Sequence, residues 1–311
     1  MKKITILLTA LLLFLMPLQG FAATLIPVGQ VIGLDLSGLE VIAVDETAAS
    51  CGVQVGDRLL AIDDIPIQSI THLQELTQKD QLTLTVQRGK ETHHLPLCPQ
   101  TTPEGKRMGL TLRRGLTGIG TVTWYDPESG SFGALGHGVS TADGKLMPMT
   151  CGTACKAKVL SVTPGQQGKP GQLQGAPDDT TPIATLTKNT QQGVFGTATI
   201  PFPGTPTETA PSEEIHPGPA KILSTVTGTT TKEYDVEILK IYAANRNPQR
   251  NLLLKITDPK LLQTTGGIVQ GMSGSPIIQN GKIIGAVTHV LVNDPTMGYG
   301  IFIENMLDAA A

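Results

Sequence analysis

Short apolar runs broken by glycine, proline and paired polar residues dominate the chain, and few stretches carry the 3.6-residue period of an amphipathic helix. In the first third, Val28 to Leu36, Leu39 to Val44, Arg58 to Ile62 and Leu82 to Arg88 read as strands, and Ile70 to Gln78 reads as a helix. Leu95 to Gly105 holds Pro96, Pro99 and Pro103 without any periodic pattern and reads as a linker. The residues beyond about 107 are enough for two small β-barrels. Within them Pro201 to Pro219 contains six prolines and suits an exposed loop. The expected fold class is mainly β.

Composition supports this pattern. Only 16% of the 311 residues are charged, whereas there are 35 glycines and 22 prolines, and the 40% apolar content allows two domains with cores of their own. A net charge of -3 without runs gives no footprint for nucleic acid or anionic lipid. Lys2 and Lys3, the apolar run Ile4 to Met16 and the mostly small residues Gly20 to Ala23 read as a secretory signal or signal anchor over residues 1–23. The chain is therefore expected to work outside the membrane of its synthesis. Zinc at Cys151 and Cys155 lacks a second pair or a nearby histidine, so no metal and no cofactor is expected. A disulfide and free thiols both stay open.

Ser50-Cys-Gly-Val-Gln-Val-Gly-Asp-Arg-Leu-Leu-Ala-Ile62 resembles the bacterial PDZ signature, in which a small-residue turn and a Gly-Asp pair lead into a central strand. A PDZ module adds an extended peptide to an open sheet edge and captures its carboxylate on the N–H groups of a glycine loop. Ile32, Gly33 and Leu34 are the candidates for that loop. The expected organisation is a PDZ-like module over residues 24–100, a linker over 101–106 and a catalytic domain over 107–311.

Gly271-Met272-Ser273-Gly274-Ser275-Pro276 carries the chemistry. A nucleophilic serine needs a tight glycine-flanked turn, so that its hydroxyl is exposed while neighbouring N–H groups converge on an oxyanion. Gly271 and Ser273 have that spacing. The apolar runs flanking Asn280-Gly281 predict a hairpin behind the turn. Among the six histidines, His137, flanked by Gly136 and Gly138, is the candidate general base, and His289 is a candidate pocket wall. Asp258 and Asp235 both remain open as the orienting acid.

The hexapeptide and its hairpin resemble trypsin-like peptidases. Ile119 to Pro127, Phe132 to Gly138, Gly144 to Pro148, Pro170 to Gly175, Gln270 to Gln279 and Tyr299 to Glu304 together resemble the SpoIVB peptidase family of spore-forming Firmicutes. That resemblance implies a PDZ-like module followed by a trypsin-like double β-barrel, with His137, Ser273 and Asp258 as catalytic residues. It further implies a sporulation signalling protease, exported across the forespore membrane, that cuts a membrane-anchored regulator of an intramembrane protease and so activates a late sigma factor. A quality-control protease and a non-catalytic PDZ adaptor are the rival readings. The trypsin-like resemblance also places Gly267, six residues before the serine, at the pocket floor, which implies cleavage after neutral residues.

Overall fold

The structure is a computed structural model, which describes residues 23–36, 39–67, 70–89, 91–114, 118–141, 144–147, 149, 152–243 and 249–311. The expected signal, apart from Ala23, and Cys151 lie outside the described residues. Among the described residues no helix is long and apolar enough to cross a membrane.

The chain enters on β1 (Thr24–Pro27) and β2 (Val31–Asp35), then builds a separate small sheet. That sheet is made by β3 (Leu39–Val44), α1 (Glu46–Ser50), β4 (Arg58–Ile62), β5 (Ile65–Pro66), α2 (Ile70–Leu76), β6 (Leu82–Arg88) and β7 (Glu91–Leu97). β8 (Gln100–Thr102) and β9 (Gly105–Arg107) form a hairpin of their own, and after it the edge strand β10 (Leu110–Arg114) completes the sheet, in the strand order β10-β3-β4-β6-β7. Val41, Leu59, Ile62, Leu84, Val86 and Leu97 form its core, each contributing about 1.5–3 kcal/mol by leaving water. Within the Gly-Asp signature, burial pushes the Asp57 carboxyl up, but the Arg88 guanidinium outweighs it and the net shift is downward. Arg88 donates to both Asp57 oxygens at 2.7 and 2.8 Å and to the Gly52 carbonyl at 2.8 Å, tying the signature turn to β6.

Two expectations are corrected here. Residues 101–106 are not a linker, because β8, β9 and then β10 continue the module. β1 and β2 do not belong to the module at all. Ile32, Gly33 and Leu34 pair with Gly120, Ile119 and Gly118 on one side and with Lys156, Cys155 and Ala154 on the other. A strand bonded along both edges, with Ile32 and Leu34 buried, has no free N–H row to offer a peptide end. Their run fits a barrel strand as well as a PDZ opening strand, and the partners that decide between them lie far along the chain.

Those partners form the first barrel. β11 (Gly118–Tyr125), β12 (Ser131–Ala134), β13 (Gly152–Thr163), β14 (Gln172–Thr190) and β15 (Gly193–Ala198) join β2 in a ring closed by the β11–β12 pairing. The PDZ-like module is thus inserted into the β2–β11 connection. β1 straps the outside of β11, with β16 (Thr207–Glu208) at its other edge. β17 (Gly218–Ser224), β18 (Lys232–Ile241), β19 (Leu252–Ile256), β20 (Pro276–Gln279), β21 (Lys282–Leu291) and β22 (Asp294–Phe302) close the second barrel. Between β19 and β20 runs α3 (Pro259–Thr265), and α4 (Ile303–Ala310) ends the chain with Ile303 and Met306 packed under Trp124 and Phe195. The β20–β21 hairpin turns at Asn280 and Gly281, with φ of 52° and 77°, the two positive-φ positions expected of that dipeptide. The fold is mainly β, two closed six-stranded barrels with a small sheet module inserted in the first.

Candidate active site

His137 follows β12 on the first barrel, and Ser273 precedes β20 on the second. They line one cavity of about 490 Å³ together with His289. The turn that carries Ser273 is gripped by β11. Fully buried Thr121 donates its backbone N–H to the Ser273 carbonyl at 3.1 Å and its hydroxyl to the Gly271 carbonyl at 2.8 Å. Thr123, equally buried, donates its hydroxyl to the Gly274 carbonyl at 2.8 Å. Three turn carbonyls are therefore satisfied by two residues of the opposite barrel.

Glycine at two turn positions is required. Gly274 has φ of 95°, and a Cβ there would stand 2.1 Å from the Thr121 carbonyl oxygen and 2.5 Å from the Leu135 nitrogen. Gly271 has φ of 99°. Among the described residues neither the Gly271 nor the Ser273 N–H donates to another protein group. Both remain free to meet a developing oxyanion.

The His137 ring is held by its own neighbour: Nδ1 donates to the Gly138 carbonyl at 2.9 Å. A carbonyl only accepts, so Nδ1 carries the proton and Nε2 keeps the lone pair a general base needs. Burial pushes the imidazole below its usual range, and the Gly138 carbonyl partly opposes this. The His289 ring lies 5.3 Å from it, centroid to centroid. Burial, then the charges of His137 and Arg250, bring His289 down to about 4. Both rings are neutral at pH 7. Ser273 Oγ donates to the Thr288 carbonyl at 2.8 Å, a bond it must give up before its proton can pass to His137.

Neither acid candidate reaches this assembly. Asp258 is the N-cap of α3, its carboxylate accepting from the Leu261 N–H at 2.9 Å ahead of Pro259 at the first helical position. Asp235 is exposed on β18 opposite Lys221. Neither lines the cavity, and among the described residues no carboxylate contributes to the environment of His137. The expected role of Asp258 is replaced by a helix cap. Gly267 does not line the cavity either, and a Cβ there would lie 2.1 Å from the Pro295 carbonyl oxygen. Ile119, Val269, Val290 and Val292 supply the apolar wall instead, and among the described residues no acid lines it.

The module carries a second groove, of about 1110 Å³, between α2 and the free edge of β10. Leu73 and Thr77 line one side and Met108, Gly109, Leu110 and Leu112 the other. Gly109 has φ of 73°, and a Cβ there would meet the Asp45 carboxylate at 2.1 Å. Its carbonyl accepts from the Asp45 N–H at 2.8 Å. This glycine loop leading into an edge strand is what Ile32-Gly33-Leu34 was expected to provide. The string Met108-Gly-Leu-Thr-Leu112 is its sequence signal, missed because it follows the Gly-Asp signature instead of preceding it.

A family model described as SpoIVB peptidase S55 matches residues 104–307, and one described as PDZ domain matches residues 41–88. The chain belongs to the SpoIVB peptidase family. A PDZ domain lies within the chain, and the first two barrel strands lie ahead of both matched spans. A putative zinc metalloprotease, R01501, of Rhizobium meliloti is 33% identical over 107 residues, 33% of this chain and 28% of that protein. The chain thus spans about a quarter of the length of that curated relative. Among solved structures, the Rv3671c protease in an inactive form covers 62% of this chain and 84% of its own at 14% identity, with a TM-score of 0.38. The HtrA-type protease AlgW with a decapeptide covers 67% and 57% at 12% identity, with a TM-score of 0.37.

Proposed function

We propose that this SpoIVB-family peptidase is a regulatory endopeptidase with Ser273 as nucleophile and His137 as general base. As Ser273 Oγ attacks a peptide carbonyl, its proton passes to His137 Nε2, and the negative charge on the carbonyl oxygen falls to the Gly271 and Ser273 N–H groups. His137 then returns the proton to the leaving amine, and water repeats the cycle on the acyl-enzyme. The observation that carries this reading is the meeting of His137 and Ser273 in one cavity, from separate barrels, around a turn whose Gly271 and Ser273 N–H groups have no partner among the described residues.

The acid-free wall favours a neutral, small or aliphatic side chain before the cut, because an unpaired cation there would lose its hydration without a partner. The PDZ groove selects an extended peptide end. Family membership and the N-terminal sequence support export, into the space between forespore and mother-cell membranes, and a membrane-anchored regulator as substrate. Ser273→Ala and His137→Ala are each expected to lower peptidolysis by more than about 1000-fold. Protein N-termini compared between wild-type and Ser273→Ala cells should then differ at one or a few membrane-anchored proteins. Undiminished turnover by Ser273→Ala sinks the catalytic reading, whereas loss of cuts across many unfolded proteins makes it a quality-control enzyme.

A further inference from the structure

Among the described residues no carboxylate reaches His137, and a different group is placed to fix its tautomer and its aim. We propose that Asn189, at the end of β14, is the positioning residue that does so, acting through a single peptide unit. This rests on the reading of His137 as the base.

The peptide between Gly138 and Val139 has two polar ends. Its carbonyl accepts from His137 Nδ1 at 2.9 Å. Its N–H, on Val139, donates to Asn189 Oδ1 at 2.9 Å. The chain of bonds therefore runs from Asn189 through one planar, polarisable amide to the imidazole, and bonds aligned in this way strengthen one another. The Asn189 amide cannot serve in the reverse orientation. Its Nδ2 donates to both the Val139 and the Met147 carbonyls at 2.9 Å, and these accept only. Both hydrogens and one lone pair are committed, so the oxygen must face the Val139 N–H.

The peptide is also confined by packing. A Cβ on Gly138 would lie 2.2 Å from Leu146 Cδ2 and 2.4 Å from the Thr190 carbonyl oxygen, so the unit sits tight between its own loop and the end of β14. Met147 N–H closes that loop onto the Val139 carbonyl at 2.9 Å. Asn189 thus ties the loop at both of its ends and sets the plane whose oxygen sets the ring.

The test compares Asn189→Ala, Asn189→Asp and His137→Ala by kcat, KM and the NMR resonance of the His137 Nδ1 proton, recorded in a Ser273→Ala background. Asn189→Ala is expected to lower kcat by about 10- to 100-fold, the range of groups that orient a functional side chain from behind, with KM within about twofold and the Nδ1 proton resonance lost or broadened. Asn189→Asp keeps shape and acceptor but faces the two carbonyls without donors. It should move the same resonance and lower kcat less, and it decides the matter if the alanine variant does not fold. A merely structural role would lower the thermal midpoint and leave the resonance of the folded fraction in place. Wild-type kcat and an unmoved resonance in Asn189→Asp would overturn the proposal while His137→Ala stays inactive. Activity in His137→Ala would instead remove the general-base reading beneath it.

Discussion

The catalytic cavity and the PDZ groove are assembled in opposite ways. Every wall of the groove comes from one contiguous stretch, residues 43–112. The cavity draws on β2, β11, the His137 loop, the Ser273 turn and β21, spread from Leu34 to Val292. Contiguity makes the groove separable, whereas the cavity exists only when distant segments have closed both barrels. The groove also offers an unpaired strand edge that a ligand completes. The cavity offers backbone N–H groups already fixed, the kind of preorganisation that stabilises charge without rearrangement.

The largest expected effect breaks the comparison at its boundary. Removing residues 24–36 takes β1 and β2 out of the first barrel and should leave no cooperatively folding peptidase. Replacing residues 37–117 by a short turn should leave the barrels intact, because Leu34 and Gly118 face each other across the ladder and a tight hairpin can join them. Circular dichroism and cleavage of a short peptide by the two proteins check this. The opposite ranking would return β2 to the PDZ module.

Gly109→Val sharpens the contrast. A branched side chain at φ of 73°, against Asp45, should displace the loop and weaken binding of free C-terminal peptides by about tenfold or more, with kcat on a short substrate unchanged. Calorimetry with undiminished peptide affinity would move the binding edge away from β10.

The smallest effect is assigned to Asp258. Loss of its cap in Asp258→Ala should cost about 1 kcal/mol of stability, and Asp258→Asn, an equally good cap, should cost almost nothing. Both should keep kcat within about twofold. A hundredfold loss of kcat in a fully folded Asp258→Asn protein would place a carboxylate back in the mechanism.

The two residues that the cavity brings together, Ser273 and His137, were legible as candidates in the sequence because each is marked by a local demand. Ser273 needs Gly271 and Gly274 within the same turn, the Asn280-Gly281 hairpin announces itself, and Gly136 and Gly138 mark the histidine loop. The acid was misread because an aspartate ahead of a proline has a complete local meaning as cap and first helical residue, which spacing to the serine overrode. Thr121, Thr123 and Asn189 were missed for the opposite reason. Each acts on a segment distant in sequence, through backbone groups that leave no trace in the partner's residue type. The PDZ edge was lost to topology, since an inserted module hides its boundary inside another domain's strand run.

The insertion also sets an order of events in time. β2 finds both its partners, β11 and β13, only after the whole module has been synthesised, so its edges wait unpaired while Leu39 to Arg114 closes its own short-range sheet. Local pairings form early and distant ones late. The Ser273 turn comes later still, since its carbonyls need Thr121 and Thr123 already in place. The groove of the module is therefore expected to close before the cavity that holds His137 and Ser273.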